Sequence, residues 1–423
     1  MRAGLVAVVC LLTVGPICGQ EDIDREPINY STAEVNDALA QLQAKLDAGE
    51  ARLEWDDKHG WLPSLLAELQ VPLSSQTLVF SKTSMQFSKI APRRPRSLYY
   101  NDDIYIGSVQ YGEVLELSAV DAEQGAIFYT LEQKKSDAPK IVRDKGQCLA
   151  CHQNRSTQDV PGYLVRSVFP GADGNPIFSL GTTTTNQTTD YSKRYGGWYV
   201  TGKHGLQRHR GNVIATGDTT KSLDVEAGAN LTDLEPLFDT KPYLTPHSDL
   251  VALVVLDHQS QMHNLITRAS YEARQSNHYD KVWGEILERE AGFQADVSKR
   301  RIKAAGDKLV EYLLFSDEYQ LTEPIEGTSD FTQEFQQLGP RDSKGRSLRD
   351  FDLQTRLFKY PCSYLIYSES FDALPEVMLK YVKQRLSEVL SGEDTSLEFA
   401  HLSAEDRTSI REILAETKPG FFE

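Results

Sequence analysis

The chain has 423 residues, a formal net charge of −16 and 40% hydrophobic residues. Partners that are themselves strongly anionic, such as nucleic acid, require a basic surface, and this acidic composition argues against them. A chain of this length exceeds the usual size of a single hydrophobic core, so we expect two or three packed units.

The first 19 residues have the form of a secretory signal peptide. Arg2 precedes an apolar run from 3 to 12, which is followed by small or turn-forming residues, Gly15, Pro16 and Gly19. We therefore expect cleavage near Gln20 and an exported protein, periplasmic in a bacterium.

A lipoprotein anchor at Cys18 is disfavoured. Ile17 is larger than the small residue that precedes a lipidated bacterial cysteine. Beyond the signal peptide the longest apolar run is 250–256, which is far shorter than the roughly 20 residues that span a bilayer. We predict no transmembrane segment.

Residues 20–75 predict an N-terminal helical region. Ser31 and Glu34 have capping-box spacing and precede leucines at helical intervals, Leu39, Leu42 and Leu46. Pro63 fits the first turn of a second helix, where its missing N–H costs nothing.

Residues 76–215 predict a β-rich unit. Short β-prone runs separated by turn residues indicate a β-meander over 78–80, 98–100, 104–106, 114–117 and 126–129. Further strands are expected at 163–169 and 198–200. The threonine-rich stretch 181–189 predicts a surface loop.

The strongest chemical signal is the run Cys148-Leu149-Ala150-Cys151-His152. C-x-x-C-H is the pattern that attaches c-type haem covalently. Two thiols at this spacing can bond to the two vinyl groups of one porphyrin, and His152 then becomes the proximal ligand of the iron. The motif occurs once, so we expect one covalent haem c.

Three other roles of the cysteine pair are weaker alternatives: a thioredoxin-like redox pair, half of a zinc site and a structural disulfide. None of them accounts for the adjoining His152. Without the signal peptide the chain keeps Cys148, Cys151 and Cys362. That odd number suits two thioether bonds and one core thiol, Cys362, better than a disulfide framework.

Residues 216–345 predict a mainly helical region that carries candidates for the second axial ligand. A helix from 250 to about 274 places His258 and Met262 on one stripe, because residues four apart are neighbours on a helix. Core packing is the alternative role for both side chains. Another helix is expected within 282–314.

Residues 346–423 predict a C-terminal helical region. Pro375 and Ser403 are placed to begin helices, and Gly392 is placed to end the first of them. Together the elements predict an α+β fold in which a β-meander forms a haem-binding core flanked by N-terminal and C-terminal helical regions.

The glycine-rich segment 196–212 holds two further distal candidates, His204 and His209. Its glycines permit close backbone approach and its aromatic residues could stack on a porphyrin. A structural hairpin is the competing interpretation.

Several short motifs resemble a poorly characterised family of exported bacterial single-haem cytochrome c domain proteins. The resemblance covers nearly the whole mature chain and is carried by 81–84, 100–103, 128–131, 148–152, 196–202 and 361–364. It implies haem c at Cys148, Cys151 and His152 and a periplasmic location. It supplies neither a substrate nor a distal ligand.

The leading interpretation is a periplasmic monohaem cytochrome that exchanges single electrons with a redox partner protein or a small-molecule donor or acceptor. The chain is larger than a simple carrier needs, which leaves two alternatives. One is a haem enzyme with an open distal site, peroxidase-like or acting on small nitrogen compounds, with His204, His209, Arg208 or Tyr199 near the substrate. The other is a haem-based sensor or binding module. The sixth ligand of the iron distinguishes these interpretations, because two protein ligands leave no coordination position for a substrate.

Overall fold

The computed structural model describes residues 23–217, 219, 223–290 and 292–422. The expected signal peptide and Cys18 lie outside this part of the chain. Within it, no helix combines the length and the apolar character that crossing a bilayer requires.

The architecture mixes helices with an antiparallel sheet of seven strands. The strands of this sheet are β1 Thr77–Val79, β2 Arg96–Tyr100, β3 Ile104–Ser108, β4 Val114–Asp121, β5 Gly125–Glu132, β6 Ile141–Arg143 and, later in the chain, β9 Trp198–Tyr199. Their order across the sheet is β6-β5-β4-β3-β2-β1-β9. The predicted meander is therefore present, since consecutive strands from β1 to β6 are neighbours.

A smaller two-stranded sheet pairs β7 Val165–Val168 with β8 Thr182–Thr185. The prediction of a strand near 163–169 is confirmed. The prediction of a loop over 181–189 is wrong for β8, because each threonine of that strand pairs with a residue of β7.

In the described residues, helices come before β1, between β6 and β7, and after β9. They are α1 Ala38–Ala48, α2 Leu62–Glu68, α3 Leu149–His152, α4 Leu250–Ile286, α5 Asp296–Leu313, α6 Phe331–Gln337, α7 Glu369–Asp372, α8 Glu376–Ser391 and α9 Ala404–Thr417. Within 216–345 the structure has α4, α5 and α6, and the segment 223–249 that precedes them contains no helix or strand. Prolines at 236, 242 and 246 withhold the backbone donors that a helix needs there.

Of the three helix caps that the sequence predicts, at Ser31, Gly392 and Ser403, the last two are present. Ser403 caps α9 with Asp406 in a capping box, and Gly392 ends α8 in the left-handed conformation at φ 83°, as predicted. The exception is α1, which begins after Asp37 and not after Ser31. The Asp37 carboxylate accepts hydrogen bonds from the first turn of α1 and also from the Tyr129 hydroxyl of β5, so a tertiary contact fixes where this helix begins.

The alternation of side chains along the strands gives the sheet two different faces. One face packs on α1 and α2 through apolar residues, among them Tyr99, Ile106, Leu115, Leu117, Ile127 and Leu131. The opposite face turns a mixed set toward a cavity, including Leu98, Tyr105, Gly107, Glu116, Ser118, Phe128 and Thr130. Helices cover only part of this opposite face, so the rest of it is available for a ligand.

A second core forms where α4, α5, α8 and α9 pack together. Cys362 lies in this core with no exposed surface, as predicted for the third thiol. The core is joined to the sheet by the hydroxyl of Tyr100, which donates to the Ala252 carbonyl of α4 at 2.6 Å. This bond holds α4 beside the cavity.

Candidate haem site

A cavity of about 540 Å³ lies against the open face of the sheet. Cys148, Cys151 and His152 all line it, and α4 contributes Leu256 and Ser260 to its wall. This volume falls within the roughly 300–1,000 Å³ of typical ligand and cofactor pockets. The cavity therefore brings the three residues of the motif to one ligand-sized space.

Polar contacts hold the motif at both ends. Before it, the Asp144 carboxylate accepts hydrogen bonds from the backbone N–H of Gly146 at 2.8 Å and of Cys148 at 3.0 Å. Gly146 has φ 111°, a conformation that favours glycine. After the motif, the Asn154 side chain donates to the Cys151 carbonyl at 2.7 Å. The short helix α3 is thus fixed by its neighbours in sequence.

Both thiols of the motif are free. Cys151 is exposed, whereas Cys148 is partly buried and packs against the cluster that contains Phe128 and Tyr163. Burial, together with the nearby Asp144 carboxylate, raises the pKa of the Cys148 thiol to about 12. A thioredoxin-like redox pair works through a thiolate with a lowered pKa, so this environment argues against that alternative.

The hydrogen bond of His152 fixes which ring nitrogen is available. Its Nδ1 lies 2.9 Å from the carbonyl oxygen of Gly162. A carbonyl only accepts, so Nδ1 carries the hydrogen and Nε2 keeps its lone pair in the neutral ring. Burial lowers the pKa of His152, which favours that neutral ring. Metal-ligating histidines characteristically donate their other N–H in this way.

The peptide unit whose carbonyl orients His152 is held by Asn264 of α4. This unit joins Gly162 to Tyr163, and its N–H, on Tyr163, donates to the Asn264 side chain at 2.8 Å. The Asn264 side chain also donates to the carbonyl of Tyr163 at 2.7 Å. A Cβ at Gly162 would collide with the Asn264 amide, so only glycine allows this approach. Sequence reasoning missed Asn264 and Gly162, because nothing in the local pattern connects residues about 100 positions apart.

The cavity walls are aromatic with a few charged groups. Tyr105 and Tyr163 lie with ring centroids 4.1 Å apart, and the Phe128 ring lies 4.8 Å from the ring of His152. Arg96 crosses the sheet over Gly107 and pairs with Glu116, with Nη2 2.8 Å from Oε2. The remaining basic groups in the wall are Lys82 and Arg166.

The distal candidates on α4 lie away from this cavity. Leu256 and Ser260 line it, and His258 sits two positions from each, about 200° around the helix axis. His258 instead lies between Gln187 and Ser363. Its Nδ1 is 2.6 Å from Oε1 of Gln187, and its Nε2 is 2.8 Å from Oγ of Ser363. Met262 is fully buried in the second core. The structure does not bring either residue to His152.

The candidates in the glycine-rich segment form a separate buried cluster. The rings of His204 and His209 lie 4.6 Å apart beside Tyr191. Arg208 pairs with Glu226. Neither histidine lines the cavity that holds the motif. The remaining residue of the enzyme alternative is also committed elsewhere, since the hydroxyl of Tyr199 donates to the carbonyl of Pro92.

Within the described ranges, no group of three or more His, Cys, Asp and Glu side chains could hold a metal ion. A haem iron does not need such a group, because the protein supplies only its axial ligands.

Comparisons with family models, with curated proteins and with solved structures find no match to this chain.

We expect replacement of His258 to flatten the dependence of stability on pH. Burial lowers the pKa of His258 to about 3, whereas the unfolded chain takes up this proton near pH 6.5. Below about pH 6.5 the unfolded state then binds more protons than the folded state, so the free energy of unfolding falls with the pH. By pH 5 His258 lowers the free energy of unfolding by about 2 kcal/mol. Urea unfolding of wild type and His258→Asn at pH 7, 6 and 5 measures it. Equal losses in both proteins would contradict the expectation.

Proposed function

We propose that this protein is a monohaem c-type cytochrome that transfers single electrons. Cys148 and Cys151 would hold the porphyrin through thioether bonds, and His152 would be an axial ligand of the iron. The observation that carries the proposal is the Nδ1 hydrogen bond of His152 to Gly162, which leaves Nε2 free in a cavity that both thiols also line. Export to the periplasm and membership of the exported single-haem family belong to the same proposal.

The donor set of the cavity fits haem c. Two free thiols at C-x-x-C spacing and a neutral imidazole supply every covalent and proximal contact that this cofactor takes from a protein. When bound, haem supplies an iron that gains and loses one electron. The surrounding protein tunes that exchange through the axial ligands, hydrogen bonds and burial.

The remaining walls perform two tasks in this proposal. Phe128, Tyr105 and Tyr163 exclude water from one side of the cavity. Arg96 and Arg166 bring positive charge to a wall that would receive the two carboxylates of the porphyrin. Arg96 is partly neutralised by Glu116, which leaves Arg166 as the stronger anion partner.

Electron transfer is favoured over the enzyme alternative by the placement of polar groups. The residues that the enzyme alternative requires near a substrate, His204, His209, Arg208 and Tyr199, make other contacts and do not line the cavity. Single-electron transfer needs no general acid or base at the iron, so the observed walls are sufficient for it.

The test is production of the full chain in a bacterium with and without the cytochrome c maturation machinery. We expect the mass of the denatured protein to increase by one haem only when that machinery is present, and a redox titration of the native protein to give one reversible one-electron step. A denatured mass that never includes haem would overturn the proposal. So would haem that dissociates completely on denaturation, because it would not be covalently attached.

A further inference from the structure

We infer that Met85 would supply the second protein ligand to the haem iron that His152 would also hold. This inference rests on the proposed function. It is carried by the position of Met85 in the wall of the cavity that His152 also lines. It replaces the candidates that helical periodicity predicts, and it concerns a segment with no regular spacing from which a ligand could be predicted.

The set of possible ligands in the cavity wall is small. Methionine and histidine are the side chains that close the iron in cytochromes of this type. Among the described histidines, His152 is the one that lines the cavity. Among the described methionines, Met262 and Met378 are fully buried in the second core, and Met85 lines the cavity.

Met85 belongs to a strap, residues 82–89, that joins β1 to β2. The strap and the motif reach the cavity from different parts of the sheet. The strap lies between two strands at one side of the strand order, whereas α3 follows β6 at the opposite edge. Met85 and His152 therefore reach one cavity from segments that lie far apart in the strand order.

The strap is anchored on both sides of Met85. Ser84 Oγ donates to Glu116 Oε1 at 2.6 Å, and Gln86 Nε2 donates to the same oxygen at 3.0 Å. Gln86 Oε1 also accepts from the backbone N–H of Glu113 at 2.8 Å. These bonds tie both neighbours of Met85 to the sheet, so the methionine is held at the cavity by contacts that do not involve its own side chain.

The strap also presents exposed apolar side chains at the cavity. Met85 is 52% exposed and Phe87 is 57% exposed, and both line the cavity together with Phe178 at 68%. Three large apolar side chains around one opening form a patch of the kind that marks a binding site. A porphyrin in the cavity would cover this patch.

The lysine of the strap that lines the cavity is already engaged. Lys82 Nζ lies 3.7 Å from a carboxylate oxygen of Asp173. A lysine must lose its proton and this ion pair before it can bind iron, whereas the thioether of Met85 is a neutral donor at every pH. Met85 is therefore the stronger candidate of the two.

A methionine ligand has two consequences for the proposed cytochrome. It would occupy the remaining coordination position of the iron, so the haem would be low-spin and would not offer a site to external ligands. It also raises the reduction potential relative to a histidine in the same place. Both consequences favour an electron carrier over an open haem enzyme or a gas sensor.

The test compares Met85→Leu with Met262→Leu in the haem-loaded full chain. The two variants make the same change, one at the cavity and one in the second core, where a Met to Leu exchange is well tolerated. We expect wild type and Met262→Leu to be low-spin, to show the ferric methionine-to-iron charge-transfer band and to ignore carbon monoxide. Met85→Leu is expected to lose that band, become high-spin in the ferric state and bind carbon monoxide when reduced.

The outcomes separate this inference from the proposed function. If Met85→Leu keeps covalent haem and the wild-type spectrum, Met85 is not the ligand although the chain is a cytochrome. A low-spin wild type that lacks the charge-transfer band would also overturn the assignment and would favour a nitrogen ligand such as Lys82. If wild type itself carries no covalent haem, the proposed function fails and this inference fails with it.

Discussion

The double variant Cys148→Ser, Cys151→Ser is expected to carry no covalent haem. Serine preserves the size and the backbone contacts of the motif, but its hydroxyl does not form the thioether bonds on which attachment depends. Asp144 and Asn154 still fix the backbone around α3, and the bond from His152 to Gly162 does not involve either thiol. Folding should therefore be retained while attachment is lost. The denatured mass measures attachment, and circular dichroism measures folding.

The matched control is Cys362→Ala. Cys362 is a free thiol in the second core and does not line the cavity, so this variant should carry as much covalent haem per folded molecule as wild type. Each single serine variant should retain one thioether bond. Covalent haem on the double variant, or its loss from Cys362→Ala alone, would mean that the C-x-x-C-H run is not the attachment site.

Local chemistry was sufficient to predict most of the regular elements. The meander was predictable because each strand is a short β-prone run bounded by turn residues, and α8 and α9 were predictable because their caps lie within the same stretch of sequence. The missed strands lack such signals. β6 is three residues long, and β8 contains four threonines whose hydrogen-bond partners lie in β7. Pairing between distant segments decides both cases.

The candidate site also has one part that the local sequence predicts and another part that depends on contacts between distant segments. The spacing of Cys148, Cys151 and His152 is a local property, and it was sufficient to identify a candidate attachment motif. The cavity wall depends on which side of α4 faces the sheet. Both Leu256 and His258 are buried, at 4% and 0% exposure, so α4 is covered on opposite sides and an apolar stripe does not reveal which side lines a cavity.

Asp257→Ala is expected to destabilise the fold by about 3–5 kcal/mol, because it leaves a buried guanidinium without its counter-charge. Asp257 is fully buried on α4 and lies 3.3 Å from Nη1 of Arg194, which is itself 3% exposed. The carboxylate also accepts from the hydroxyls of Thr185 at 2.6 Å and Tyr195 at 3.1 Å. Denaturant unfolding of wild type and Asp257→Ala measures the loss of free energy of unfolding, both for protein produced with the cytochrome c maturation machinery and for protein produced without it.

The exposed pair Lys203–Glu326 provides the comparison for this prediction. Its charged atoms lie 3.5 Å apart, close to the separation in the buried pair, but both side chains are more than half exposed. Glu326→Ala should therefore change stability by less than about 1 kcal/mol. Because Thr185 belongs to β8 and β7 carries Val165 and Arg166 into the cavity wall, Asp257→Ala should also loosen that wall. Equal losses from the two alanine variants would show that the buried carboxylate does not hold β8 against α4.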